Sequence, residues 1–181
     1  MKIGKKGFTL VELLAALVIL GMLTAIAAPN ILGILQSSKQ NTYIEDAKKL
    51  ATLAEYKFRS DTSITKPNNN YCITMSMEYL GASEFRNAPY DGEYQTDYSY
   101  VAIKRDGSQY KYYVQLIEAD EETDASGNKT ATDYKGIELV SVETLSSDQK
   151  TSTIRHGLTG LTKYDSNRNS ICGGNISAKY N

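Results

Sequence analysis

Few residues in this 181-residue chain stand where they could do chemistry, and the least ordinary of them is an acid. Glu12 lies inside the run from Phe8 to Leu35 (FTLVELLAALVILGMLTAIAAPNILGIL), whose last 23 residues carry no charge and only Thr24 and Asn30 as polar side chains. A lone carboxylate in a bilayer costs roughly 2.5–3.5 kcal/mol near a helix centre, so an acid at such a place points to a partner or a use. Cys72 and Cys172 are the only thiols. Outside the cytoplasm an even pair suggests a disulfide, closing a loop of about 100 residues worth up to ~4.7 kcal/mol. Two free thiols are the alternative, because a sequence gives no distance between them. His156 is the single histidine, in Thr153-Ile-Arg-His-Gly157, with no serine, cysteine or acid at a catalytic spacing, and reads as a surface or turn residue. Asp165-Ser-Asn-Arg-Asn169 alternates oxygen ligands as a calcium loop begins, but Ile176 stands where the bidentate acid belongs and no glycine makes the turn. It reads as a plain turn. One histidine and two cysteines leave no material for a zinc site, and no catalytic, cofactor-binding or metal residue is identified.

Composition narrows the classes further. Twenty basic and 21 acidic residues leave a formal charge of −1, which argues against a general nucleic-acid binder. The tyrosines at 98, 100, 110, 112 and 113 could form a stacking surface, but without a matching basic cluster they read as sheet residues with one wet face. Apolar residues reach 41% and charged ones 23%, so the chain is not a disordered polymer. Its mean hydropathy of −0.40 averages an apolar end with a polar remainder.

At the apolar end, Met1 to Gly7 (MKIGKKG) has three lysines and no acid. About 20 apolar residues cross a bilayer, and Lys2, Lys5 and Lys6 would hold the start of this segment on the cytoplasmic side. A secretory signal peptide cut after Ala25-Ile26-Ala27, starting the product near Ala28, is the chief rival. Glu12 inside the run, and apolar sequence continuing past that cut to Leu35, resist it.

Gly7-Phe8-Thr9-Leu10-Val11-Glu12, after a short lysine-bearing leader and before an apolar helix, resembles the start of a type IV prepilin. The wider superfamily includes the pseudopilins of type II secretion and of DNA-uptake machines. The resemblance implies cleavage between Gly7 and Phe8 by a prepilin peptidase, followed by methylation of the new Phe8 amine. It implies that Glu12 sets axial register in assembly, by meeting the Phe8 amine of its own or a neighbouring subunit. An unpaired carboxylate in a dry helical bundle is expensive and a paired one is tolerated. The implied partners are copies of the same chain in a helical filament, the peptidase and inner-membrane assembly machinery, and the membrane before assembly. No cofactor is implied. Heads of this family often carry a C-terminal staple, which agrees with a Cys72–Cys172 bond.

The elements that must position these residues begin with one long helix. From Tyr43 the apolar positions Tyr43, Ala47, Leu50, Ala54 and Phe58 are spaced by four, three, four and four, which is one helical face. Read as continuous from Phe8 to Arg59, the helix has 52 residues and a length of about 78 Å. Its first half is apolar all round and needs a membrane or a bundle, whereas its second half packs on a head. Pro29 removes the N–H that would bond the Ala25 carbonyl, at ~3 kcal/mol, and Gly21 and Gly33 each cost about 1 kcal/mol against alanine. A simple kink is one outcome. The resemblance implies the other, loss of regular helix near Gly21 and Pro29 in a stretched filament.

Past Arg59, Asp61 to Asn70 (DTSITKPNNN) reads as an exit loop, residues 76–86 as a short helix, and Asn87 to Glu93 as a turn-rich connection. Tyr98–Lys104 and Gln109–Ile117 flank Arg105-Asp-Gly-Ser108 as a hairpin, and Tyr134–Val142 makes a third strand. Glu118 to Asp133 reads as an exposed loop or hairpin tip. Weak strand character recurs at Thr153–Leu161 and Ser177–Tyr180.

The expected fold is therefore α+β: a long N-terminal helix packed on an antiparallel sheet head. The organisation is a cleaved leader (1–7), an apolar membrane or filament-core helix (8–38), and a head including the amphipathic half-helix (39–181). The expected function is structural. A pilus subunit starts in the bacterial cytoplasmic membrane and ends in a surface filament used for adhesion, motility, aggregation or DNA uptake. A pseudopilin and a secreted binding module released near Ala28 are the alternatives.

Overall fold

The computed structural model describes residues 8–81, 85, 87–145, 154–166 and 169–181, with side chains at 27–30 left aside. The leader with Gly7, part of the 76–86 segment, Thr153 and the middle of Asp165–Asn169 fall outside the described residues. The chain divides into two compact units, one ending at Ser38 and the other comprising Lys39–Asn181.

Helix α1 is Leu10–Ser60, 51 residues, and its helical assignment runs through Pro29. Within the second unit it buries Tyr43, Ala47, Leu50, Ala54 and Phe58, the face that the spacing picks out, with Ile44 and Ala51 beside it. Glu55 and Arg59 pair at 2.6 Å, one turn apart, along the exposed flank of that face. Lys57 and Arg59 sit in the last turn, where cations meet the carbonyl end of the helix dipole. The chain leaves the helix through Asp61, whose carboxylate accepts the Ser63 N–H and hydroxyl.

Six strands follow: β1 Cys72–Ser76, β2 Glu93–Tyr94, β3 Tyr100–Asp106, β4 Gln109–Thr123, β5 Lys129–Ser141 and β6 Ile176–Tyr180. Strand β4 is the spine. It takes β5 along one edge, and β3 with the short β2 beyond it along the other. Strand β1 joins β3, and β6 closes the order β2-β4-β3-β1-β6. All pairs are antiparallel except β1 with β6, so the sheet is mixed at that edge. The chain reaches β6 by a long crossover, which permits the parallel pairing. The β3–β4 hairpin turns at Gly107-Ser108, with Gly107 at φ 61° in the first central position, where such a two-residue turn favours glycine.

Both sheet faces are covered. Ile73, Met75, Val101, Ile103, Val114, Leu116 and Ile137 join the helix face in the main core. Cys72, Tyr100, Ala102 and Cys172 form a second cluster on the other face, with Tyr113, Leu139, Tyr164 and Ile176 against it.

Two local expectations are corrected, and a third is resolved between its alternatives. The described part of 76–86 makes turns and no α-helix, because Cys72–Ser76 pairs as a strand, the Ser76 hydroxyl accepts the Tyr79 N–H, and Gly81 adopts φ 74°. Of the exposed loop or hairpin tip expected over Glu118–Asp133, the hairpin forms: β4 and β5 continue the ladder to Thr123 opposite Lys129, leaving a short tip. Of Thr153–Leu161, the described residues contribute one isolated bridge, Arg155 with Gly136, and no strand.

Candidate assembly site

The site begins at the start of α1. Thr9 precedes the helix and its carbonyl accepts the Leu13 N–H at 3.2 Å. The Thr9 N–H and hydroxyl both donate to Oε2 of Glu12, at 2.8 and 2.9 Å, and the Glu12 N–H donates back to the Thr9 hydroxyl at 3.3 Å. This is a reciprocal capping box: two donors that a helix start leaves unpaired find partners in one turn. The carboxylate lies against the positive end of the helix dipole. Thr-x-x-Glu before an apolar run is a legible signal for this cap, and reading Glu12 only as an intramembrane acid passes over it.

From there the described side chains are exposed. Phe8 is 86% exposed and Leu10 81%, and Leu13, Leu17, Leu20, Leu23, Ile31 and Leu35 all exceed half exposure. No other described helix is long and apolar enough to cross a membrane. A methyl placed on Gly21 or Gly33 would touch nothing within 4 Å among the described residues. The Thr24 hydroxyl returns to the Leu20 carbonyl at 2.7 Å, which satisfies that polar group without a partner helix.

In the head, Cys72 and Cys172 are joined, with Cα atoms 5.6 Å apart and a sequence separation of 100. The bond is held by its surroundings. The Asn169 side chain is buried and accepts the Ile171 and Cys172 N–H groups at 2.9 and 3.1 Å, while its amide donates to the Tyr100 hydroxyl at 3.2 Å. Lys104 donates to the Ile171 carbonyl at 3.0 Å, and the Ser177 hydroxyl to the Cys72 carbonyl at 3.0 Å. Gln115 bridges the Tyr98 and Thr162 carbonyls at 2.8 Å each, fastening the C-terminal segment to β4. Asn169 is thus spent on a turn beside the disulfide. Among the described residues no cluster of His, Cys, Asp and Glu could hold a metal ion.

The tyrosines do not share a surface. Tyr100 is fully buried beside the disulfide, Tyr113 joins it there, and Tyr110 and Tyr112 lie against the helix-side core. Tyr98 stacks edge-on against Tyr134 at 5.6 Å. His156 meets Tyr90 edge-on at 5.2 Å.

Sequence reasoning misses two features of the head. One is a polar knot under the helix. Tyr43 donates to the Leu116 and Lys135 carbonyls at 3.1 and 3.3 Å, and Tyr94 donates to Asp46 at 2.8 Å. Beside them Glu118 is completely buried, with Oε1 unpartnered and Oε2 only 3.4 Å from the Tyr90 N–H. Burial pushes its carboxyl up to about 7. Burial likewise raises Asp46. The other feature is a cleft of about 560 Å³ at the far end of the amphipathic half-helix, lined by Phe58, Arg59, Lys66, Gln109, Tyr110 and Tyr112. Lys66 lies 3.8 Å from the Phe58 ring centroid and donates to the Phe58 carbonyl. Residues 50 apart build it, so no local pattern marks it.

Residues 3–28 match the family described as the prokaryotic N-terminal methylation motif. No curated protein and no solved structure gives a significant match to the chain. The motif points to a structural subunit processed by a prepilin peptidase, and the apolar helix fits an anchor in the membrane. That motif, leading into a long helix and an α+β head, supports a type IV pilin-like prepilin.

Proposed function

We propose that the chain is the structural subunit of a type IV pilus, polymerising through its N-terminal helix into a cell-surface filament. Residues 1–7 are the leader, removed between Gly7 and Phe8, and Phe8 then carries the methylated amine. Residues 8–38 are first the membrane anchor and then the filament core, and residues 39–181 form the head that faces outward. The observation that carries this reading is the helix start. A carboxylate at Glu12 leads an apolar surface that is exposed among the described residues.

That surface supplies the driving force. Burying a large aliphatic side chain contributes about 1.5–3 kcal/mol, and the segment presents more than a dozen. A bilayer covers them before assembly and neighbouring helices cover them afterwards. Apolar contact alone leaves the axial position loose, because one aliphatic layer resembles the next. Glu12 removes that freedom: a subunit settles where a Phe8 amine reaches a Glu12 carboxylate, since a charge left unpaired there is costly. Gly21 and Pro29 mark where the helix bends or melts as the filament is loaded.

The test is shear. Filaments sheared from cells should contain this chain as a main component, and deleting its gene should remove them. Retention of the processed chain in the membrane, with no sheared fibre, would assign it to a pseudopilus instead.

A further inference from the structure

Within the head, charge is separated along the sheet. Strand β4 runs from Gln109 to Thr123, a rise of about 45 Å. At its Thr123 end the β4–β5 hairpin carries Asp120, Glu121, Glu122, Asp124 and Asp133 over residues 120–133, with Lys129 as the one base. Lys129 pairs with Glu121 at 2.5 Å and Lys135 with Asp120 at 2.8 Å. Asp124 closes the tip by accepting from the Ser126 and Asn128 N–H groups at 2.8 and 2.9 Å. That leaves an ordered, exposed acidic arm with Glu122 outside these pairs. At the Gln109 end lies the Arg59–Lys66 cleft, whose described lining holds two cations, two tyrosines and no acid. Arg59 is exposed and touches Glu55 at 2.6 Å, and Lys66 sits over the Phe58 ring.

We infer that the acidic β4–β5 hairpin tip of one copy of this chain docks in the Arg59–Lys66 cleft of another. The two surfaces are complementary in charge and lie at opposite ends of one strand of the sheet. A contact between two different surfaces of the same molecule is heterologous. Repeated without closing, it propagates along an axis rather than stopping at a pair. The cleft volume accommodates a few side chains, which matches a narrow hairpin tip. A carboxylate reaching the exposed Arg59 guanidinium can form charge-assisted hydrogen bonds, which are stronger than neutral ones. This contact rests on the filament reading and adds to it. The apolar core supplies adhesion between subunits, and the heads supply a second, polar register.

Charge reversal in cells that express the full chain tests it. Arg59→Glu with Lys66→Glu, and separately Glu121→Lys with Glu122→Lys, should each lower sheared filament at least fivefold while the processed membrane pool stays unchanged. Combining all four substitutions should restore filament to within twofold of wild type. A second measurement does not depend on yield: Glu122→Cys with Lys66→Cys, treated on whole cells with a short bis-maleimide, should give a ladder of covalent multimers. Wild-type filament in either reversed variant, no rescue in the combined one, or only monomers after cross-linking would overturn the contact. If the wild-type chain forms no sheared filament at all, the filament reading itself fails and the contact falls with it.

Discussion

Thr9 and Glu12 hold each other at the start of α1: one carboxylate oxygen accepts both the Thr9 N–H and its hydroxyl, and the Thr9 hydroxyl accepts the Glu12 N–H in return. The acid is therefore doing local work before any neighbour arrives. Capping needs an acceptor at this position, whereas pairing with an amine in a dry bundle needs a charge. Glutamine keeps the first and loses the second. We predict that Glu12→Gln and Glu12→Ala both yield chain that is processed and membrane-bound yet absent from the sheared fraction. Abundant filaments from Glu12→Gln would show that the cap, and not the charge, is what assembly uses.

The disulfide has a separate and purely mechanical role. It ties β1, just past the helix exit, to the C-terminal segment that covers one sheet face. Cys172→Ser opens a loop of 100 residues and should lower the unfolding free energy of the detergent-solubilised chain by several kcal/mol, at most ~4.7 in the chain-entropy model. The urea midpoint should fall with a reductant in the wild type and be insensitive to it in the variant.

Gly136 is a close approach between helix and sheet. At φ 146° it adopts a backbone conformation that side chains avoid, and a methyl there would meet the Leu116 carbonyl oxygen at 2.2 Å and the Tyr43 hydroxyl at 2.6 Å. Gly136→Ala must displace backbone and break the bond from Tyr43 to Leu116. A loss of at least ~3 kcal/mol is expected, read as a lower thermal midpoint of the solubilised chain. A midpoint within a degree of wild type would contradict this packing.

Glu118 predicts an unusual pH dependence. Its folded carboxyl titrates near 7, above the ordinary value of 4.5, chiefly through burial, with Asp120 and Asp91 adding to the rise and Lys135 and the Tyr90 N–H opposing it. The folded head thus binds a proton that the unfolded chain has released between those two values. Stability contributed by this group is complete below about 4.5, falls as pH rises to about 7, and is flat beyond. Glu118→Gln should remove that slope and stabilise the protein at pH 8 by roughly 1–3 kcal/mol. Urea titrations at pH 5 and pH 8 check it: an unchanged difference between the two would mean that Glu118 is ionised in the fold.

Periodicity carried the helix. Spacings of four and three from Tyr43 to Phe58 name the face that is buried, because one side meets a core and the other meets water. The β3–β4 hairpin was equally legible from Asp106-Gly107 between tyrosine-rich runs. Strand β1 was not, since all five of its residues are buried and two-sided burial erases the alternation that marks a strand. Glu118 misled for a related reason. An acid followed by Asp120, Glu121 and Glu122 reads as solvated chain, yet β2 and β5 pair with β4 on both edges there and draw it inside. At the assembly site Gly7 to Glu12 was legible as a local motif, whereas the Arg59–Lys66 cleft exists only once Tyr110 and Tyr112 are folded against them.

The mature N-terminus tests the central claim most directly. Mass spectrometry of chain recovered from the sheared surface fraction and from membranes should find a first peptide beginning at Phe8, heavier by one methyl group on its amine, and abundant in the sheared material. A first peptide beginning near Ala28 would mean that the apolar helix is discarded by an ordinary signal peptidase. It would leave no filament core to assemble.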